Sequence, residues 1–283
     1  MKNFLLGVGA QKAGTTWLWN YLCANPAVEF GFCKEYHIFD TLWIDEPNVG
    51  KRFFQGPVDR LVSPGQKPSQ QQLLLLRFLD NPELYFKFFK QIVSASGTTT
   101  LTGDITPAYA ALPVEALQYI RSSLIREGLR PKVIFLMRDP VERCISAMRM
   151  GLKRTKCDQG WSAQEENGEL AKSYQTARFQ KRTRYDVTIA NLEQVFAEDE
   201  LFYGFYEEMF EPSRINDICD FLGVAYLAPD FETKINASRT GNAIDPALLC
   251  EIRRHYDPVY AFAGQRFGHD RIAALWKHAD GLR

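Results

Sequence analysis

Neither sign of charge prevails in this 283-residue sequence, where 34 basic side chains meet 34 acidic ones. No global field therefore argues for nucleic acid or an anionic membrane surface as partner, and any anion site must be local. The six cysteines (Cys23, Cys33, Cys144, Cys157, Cys219 and Cys250) include no C-x-x-C pair. Scattered thiols fit reduced side chains in a cytoplasmic protein better than a disulfide framework. No apolar run approaches the ~18 residues of a membrane span. The opening M-K-N-F-L-L-G-V-G-A has the look of a signal peptide. It flows into glycines rather than a small-residue cleavage site, so it reads as a first strand. Internal repeats and a linker are also missing, which leaves residues 1–283 as one domain, long enough to bury a sizeable core.

What is present begins with F-L-L-G-V-G-A-Q-K-A-G-T-T at residues 4–16, an apolar strand running into a Gly- and Thr-rich turn. A Walker loop is G-x-x-x-x-G-K-[ST] after a buried strand, with backbone N–H groups and a helix N-terminus around a phosphate. Gly9 and Gly14 have that spacing and Thr16 holds the hydroxyl position, but Thr15 stands where the lysine belongs. The lysine is Lys12, inside the loop. A Walker lysine reaches the β/γ-phosphates beside magnesium; Lys12 would lie across the 5′ end of a shorter anion. The loop suits a phosphate-like group other than ATP.

Periodicity supplies the surroundings. Residues 15–24 have helical apolar spacing and stop before Asn25-Pro26. Residues 28–32 read as a short strand, 47–70 as loop, and 71–93 as helix broken at Asn81-Pro82. Residues 98–104 are β-rich, 113–127 helical, and K-V-I-F-L-M at 132–137 is a strand buried on both faces. Asp139 is a candidate N-cap for the next helix, with Pro140 at its first position. Residues 152–170 read as irregular, 171–197 as helical, 201–205 as a strand, and 212–222 and 245–263 as helices. Alternating strands and helices predict an α/β fold, a P-loop-like domain whose central, mostly parallel sheet has helices on both faces.

Arg138 leaves the end of the buried strand, and Ser146 lies on the following helix. Ligands of doubly wound folds gather outside the carboxyl ends of strands, where an arginine fork and a serine hydroxyl suit a phosphate. A plainer reading pairs Arg138 with Asp139 or Glu142 and packs Ser146 in its helix. Taken in order, Q-K-A-G-T-T-W-L, K-E-Y-H-I-F-D, G-D-I-T-P-A-Y and R-D-P-V-E-R-C-I-S-A resemble the sulfotransferases that use 3′-phosphoadenosine 5′-phosphosulfate (PAPS). The likeness is to the carbohydrate branch, which includes the heparan sulfate enzymes. Fainter echoes in L-F-Y-G-F-Y-E-E-M-F-E-P and N-A-S-R-T-G-N extend it over most of the chain.

That resemblance implies PAPS as sulfuryl donor, adenosine 3′,5′-bisphosphate as product, and no metal. Lys12, Ala13, Gly14, Thr15, Thr16 and Trp17 would surround the 5′-phosphosulfate, and Arg138 and Ser146 would hold the 3′-phosphate. Arg239 and Gly241 fall in the position of a late loop that folds over the donor. Some relatives carry a lysine where this chain has Ile105. Lys12 would stabilise charge on the departing oxygen, since positioning and electrostatics carry most of such a transfer. Glu35 takes the place of the base glutamate in K-E-x-H-F-F motifs. His37 would project on the same side of an extended segment and either orient Glu35 or act as base itself. The plainer alternative is a surface Lys34–Glu35 pair with His37 packed on Phe39. Asp104 either helps organise the acceptor or Lys12, or caps a turn.

The resemblance implies a small molecule or a saccharide as acceptor. The basic residues Arg149, Lys153, Arg154, Lys156, Arg178, Lys181, Arg182 and Arg184 offer a track for an acidic polysaccharide, or only a solvated face. Two other functions remain open. A P-loop nucleotide or metabolite kinase would want a lysine after Gly14 and an acid ending a strand. A non-catalytic nucleotide-binding module would have no need of Glu35 beside the loop.

Overall fold

The computed structural model describes residues 1–44, 68–155, 160–231 and 241–279. Four strands form one sheet: β1 (Lys2–Gly9), β2 (Leu101–Ile105), β3 (Leu129–Met137) and β4 (Leu201–Phe205), in the order β2-β1-β3-β4. Every neighbouring pair is parallel. Phe4, Leu5, Leu6 and Val8 of β1 and residues 133–137 of β3 are buried, as the continuous apolar runs require of central strands. The connection from β1 steps outward to β2, whereas those from β2 to β3 and β3 to β4 run the other way. Right-handed crossovers then put their helices on opposite faces. They also make the carboxyl ends of β1 and β3 the point where strand order reverses, the usual place for a ligand.

The helices between β1 and β2 are α1 (Thr15–Cys23), α2 (Ile38–Trp43), α3 (Gln70–Asp80) and α4 (Glu83–Ala95). The break at Asn81-Pro82 falls where the sequence put it. Helix α4 buries Tyr85, Phe86, Phe89 and Val93. Tyr85 and Phe89 stand 4.8 Å apart, and Phe89 lies 5.0 Å from both Phe4 and Tyr36. Tyr85 also lies 5.0 Å from Phe39. Such edge-to-face rings bury large apolar areas with defined geometry, and here they fix Tyr36 and Phe39 on either side of His37. Beyond β2 come a 3-10 turn (Pro107–Ala111) and α5 (Val114–Arg126). After β3 follow α6 (Pro140–Thr155), α7 (Ala163–Ser173), α8 (Ala177–Gln180) and α9 (Tyr185–Glu193). The chain then runs through β4, α10 (Pro212–Leu222), α11 (Pro246–His255), α12 (Asp257–Phe267) and α13 (His269–Leu275).

Three local expectations change. Residues 28–32 make only an isolated bridge, Val28 to Leu101, before the chain turns. Helix α7 occupies part of the stretch read as irregular, started by a Ser162/Glu165 capping box; it buries only Glu166 and Leu170, so apolar periodicity gives it away poorly. The helix expected over 171–197 is broken into the end of α7, α8 and α9. Most of the 47–70 loop lies outside the described residues. Among the described residues, no helix is long and apolar enough to cross a membrane.

Candidate active site

The loop after β1 turns into α1 through Gly14, whose φ of 83° favours glycine. An added Cβ there would stand 2.3 Å from Met209 Cε. Helix α1 has no side-chain N-cap and no acidic residue in its first turn. Its leading N–H groups are thus left for an external anion. Ala13, Thr15 and Trp17 are buried, while Lys12, Gly14 and Thr16 are half-buried. Trp17 stacks on Tyr21 and Phe231 at centroid distances of 5.6 and 5.7 Å.

Arg138 reaches this loop from the end of β3. Its Nη1 donates to the Lys12 carbonyl at 3.1 Å, its guanidinium lies 4.5 Å over the Tyr206 ring, and Glu142 is 3.8 Å away. The Glu142 pairing of the plainer reading is therefore present, though long, and Arg138 still faces the loop. Asp139 caps α6 as expected, accepting from the Val141 and Glu142 N–H groups at 2.8 and 3.2 Å. Ser146 is buried on α6.

The second half of the site is the segment 34–40. His37 has a left-handed backbone, φ 55°, and stands at the N-terminus of α2. The segment is not extended, yet Glu35 and His37 meet: His37 Nε2 is 3.1 Å from Glu35 Oε2. Its Nδ1 is 2.8 Å from Asp40 Oδ2. Burial alone would lower the pKa of His37, but the hydrogen bonds to Asp40 and Glu35 overcome it and raise the value to about 9. Both ring nitrogens of His37 thus face carboxylates, Nε2 towards Glu35 and Nδ1 towards Asp40. Burial would raise Glu35, and the hydrogen bonds from His37 and Lys34 instead hold it at about 2. Lys34 Nζ lies 2.7 Å from Glu35 Oε1 and 3.3 Å from Thr15 Oγ1, joining this segment to the loop.

Asp104 binds hydroxyl groups. It is fully buried and accepts from Thr106 Oγ1 at 2.6 Å and from the hydroxyls of Tyr85 and Tyr109, each at 2.9 Å. Thr106 Oγ1 in turn accepts from the Tyr36 N–H at 3.1 Å, and the Lys34 carbonyl accepts from the Ile105 N–H at 3.0 Å. Burial pushes the Asp104 carboxyl up to about 6, against the opposing pull of these donors. Asp104 is the peg that hangs residues 34–40 from β2.

Residues 5–228 match the family model described as the sulfotransferase family. The chain belongs to that family. A sulfotransferase from Alicyclobacillus acidocaldarius shares the fold, with a TM-score of 0.59 and 19% identity over 95% of this chain and 96% of that one. The sulfotransferase domain of the Synechococcus PCC 7002 olefin synthase aligns at 17% identity and a TM-score of 0.47, covering 89% of each chain. No curated protein sequence matches significantly.

Other residues singled out in this sulfotransferase fare unevenly. Arg239 lies outside the described residues. Gly241 packs against Arg149, where an added Cβ would come within 2.2 Å of Nε, and Arg149 Nη2 donates to the Asn242 carbonyl at 2.7 Å. Arg149 also pairs with Glu166 at 3.0 Å, Arg184 pairs with Asp186 at 2.6 Å, and Arg182 is buried. These three arginines are engaged within the fold rather than lined up as a track. Sequence reasoning missed Lys34 as a site residue and Asp40 as the partner of His37. Both stood in K-E-Y-H-I-F-D, Asp40 at i+3 from His37, but only the left-handed turn at His37 shows why the spacing matters.

Proposed function

We propose that this sulfotransferase transfers a sulfuryl group from PAPS to a hydroxyl or amine of an acceptor by in-line displacement. The observation that carries this reading is the single lysine spanning anion loop and carboxylate, with Lys34 Nζ 3.3 Å from Thr15 Oγ1 and 2.7 Å from Glu35 Oε1. A nucleotide-binding module needs no oriented carboxylate beside its loop. PAPS supplies an activated sulfuryl group whose leaving oxygen belongs to a phosphate. Residues 12–17 hold its 5′ end on the α1 N-terminus, and Lys12 stabilises charge gathering on the leaving oxygen. Trp17 closes one side of the loop. Arg138 and Ser146 take the 3′-phosphate, with Arg239 and Gly241 completing the donor site. Glu35 removes the acceptor proton while His37, fixed by Asp40, holds its second oxygen. The residues suit the donor: an uncapped helix end, the half-buried Arg138 and Lys34 all contact the loop that carries Lys12.

A saccharide acceptor is favoured by the likeness of K-E-Y-H-I-F-D to the carbohydrate enzymes. Residues 1–283 act as one domain in this reading. A reducing, cytoplasmic setting agrees with Cys23, Cys33, Cys144, Cys219 and Cys250, which are all free thiols.

Thermal unfolding tests the donor. Adenosine 3′,5′-bisphosphate at a hundredfold excess over its Kd should stabilise the fold by ~2.7 kcal/mol, and ATP with magnesium should not. Transfer from labelled PAPS to a panel of saccharides, phenols and alcohols then names the acceptor. Stabilisation by magnesium-ATP alone would return the chain to the kinases.

A further inference from the structure

Lys34 has two partners that belong to different halves of the chemistry. Its side chain is only 12% exposed, so water cannot serve as its counter-charge and it requires an anion nearby. Glu35 supplies one at 2.7 Å. Yet Thr15, its other partner at 3.3 Å, is the first residue of α1. The ammonium thus stands at the helix end where the loop collects an anion, and the partial positive charge of that end disfavours it until one arrives. Its backbone is fixed by the Ile105 N–H bond to the Lys34 carbonyl, which leaves the flexible stem to change partners.

We propose that Lys34 is a shared cation, holding Glu35 in the free enzyme and turning to the anionic 5′ end of the donor when the loop is filled. This rests on the sulfuryl-transfer reading given above. Glu35 Oε1 is then released while His37 keeps Oε2, and the half-exposed carboxylate becomes a stronger base facing the acceptor. The acceptor's O–H or N–H bond breaks with its proton passing to Glu35 Oε1. Its electron pair forms the new bond to sulfur, and the bond from sulfur to the 5′-phosphate oxygen breaks with the pair remaining on that oxygen. Glu35 is thereby held back until donor is in place. The ion pair in the free enzyme also agrees with the depressed pKa of Glu35, to which Lys34 contributes through both charge and hydrogen bonding.

The test is a double-mutant cycle read as the Kd of adenosine 3′,5′-bisphosphate by calorimetry on the full chain, with thermal unfolding confirming that each variant is folded. Lys34→Met should weaken binding by ~10-fold or more, the loss expected for a charge-assisted contact, and Lys34→Arg should recover part of it. Glu35→Gln should tighten binding by ~3–10-fold, because Lys34 no longer has to leave a competing carboxylate. In the Lys34→Met background the same Glu35→Gln change should alter Kd by less than about twofold, a coupling that a merely structural lysine would not produce. An equal gain from Glu35→Gln in both backgrounds would overturn the shared-cation role while leaving the proposed function standing. Failure of the unaltered chain to bind the bisphosphate at all would overturn both.

Discussion

At the scale of single residues, the proposal of Glu35 as base turns on which group can accept a proton. Glu35 has two oxygens and two donors, His37 and Lys34, whereas both nitrogens of His37 already face carboxylates. Glu35→Gln should therefore lower kcat by ~10²–10⁴, the usual worth of a general base. His37→Gln should cost less, since Gln can still donate to Glu35. Steady-state kinetics with one acceptor decide it: near-normal turnover in Glu35→Gln with none in His37→Gln would move the base to His37. The same residue sets a pH dependence of stability. The pKa of His37 is raised from 6.5 to about 9 in the fold. Its contribution is fully present below pH 6.5 and is lost as pH rises through about 9. Allowing for the solvent exposure of Glu35, we expect wild-type stability to fall by ~1–2 kcal/mol across that window. Denaturant unfolding of His37→Gln should lack that fall.

At the scale of elements, the loop between β1 and α1 was legible because its chemistry is local. Gly9, Lys12, Gly14 and Thr16 announce an anion loop by spacing, and the apolar strand before it confirms the context. The strand β3 was equally plain, six consecutive apolar or stem-burying residues ending at Arg138. Helix α7 was not, because its signal is a Ser162/Glu165 cap on a polar helix that buries two residues. The 34–40 segment falls between these cases. Its residues were recognised, yet their geometry depends on a left-handed His37 and on Asp104, more than sixty residues away, and neither leaves a periodic trace. The loop's requirement for Gly14 is open to test. Gly14→Ala puts a Cβ on a residue with φ 83° and against Met209, a strain of ~1–2 kcal/mol. The free energy of unfolding should fall by that amount. Bisphosphate affinity should fall as well, since the helix N–H groups shift with the turn; unchanged affinity would mean that the loop's backbone does not hold the anion.

At the scale of the molecule, the site lies where strand order reverses between the parallel strands β1 and β3. Arg138 and the Lys12 carbonyl are 126 residues apart in sequence and 3.1 Å apart in space. No local pattern encodes that contact; parallel pairing of β1 with β3 does. The neutral overall charge matters here too, because a chain with balanced charges offers no long-range attraction for a bisphosphate. Discrimination must come from contacts within the cleft, and the proposed function gives Arg138 the task of reading the 3′ group. Arg138→Ala should weaken adenosine 3′,5′-bisphosphate by ~1.5–3 kcal/mol, the scale of a hydrogen bond to a charged group. Adenosine 5′-phosphate, which lacks the 3′-phosphate, probes the other role of Arg138, its hold on the loop through Lys12. If loop anchoring were its main task, both ligands would lose affinity equally. We expect the loss for the 5′-phosphate to stay below ~1 kcal/mol, because a single neutral-acceptor hydrogen bond is worth about that. Calorimetric titration of both ligands into both proteins measures the difference directly. Equal losses would remove Arg138 from the 3′-phosphate site and leave it as a strut between β3 and the glycine loop.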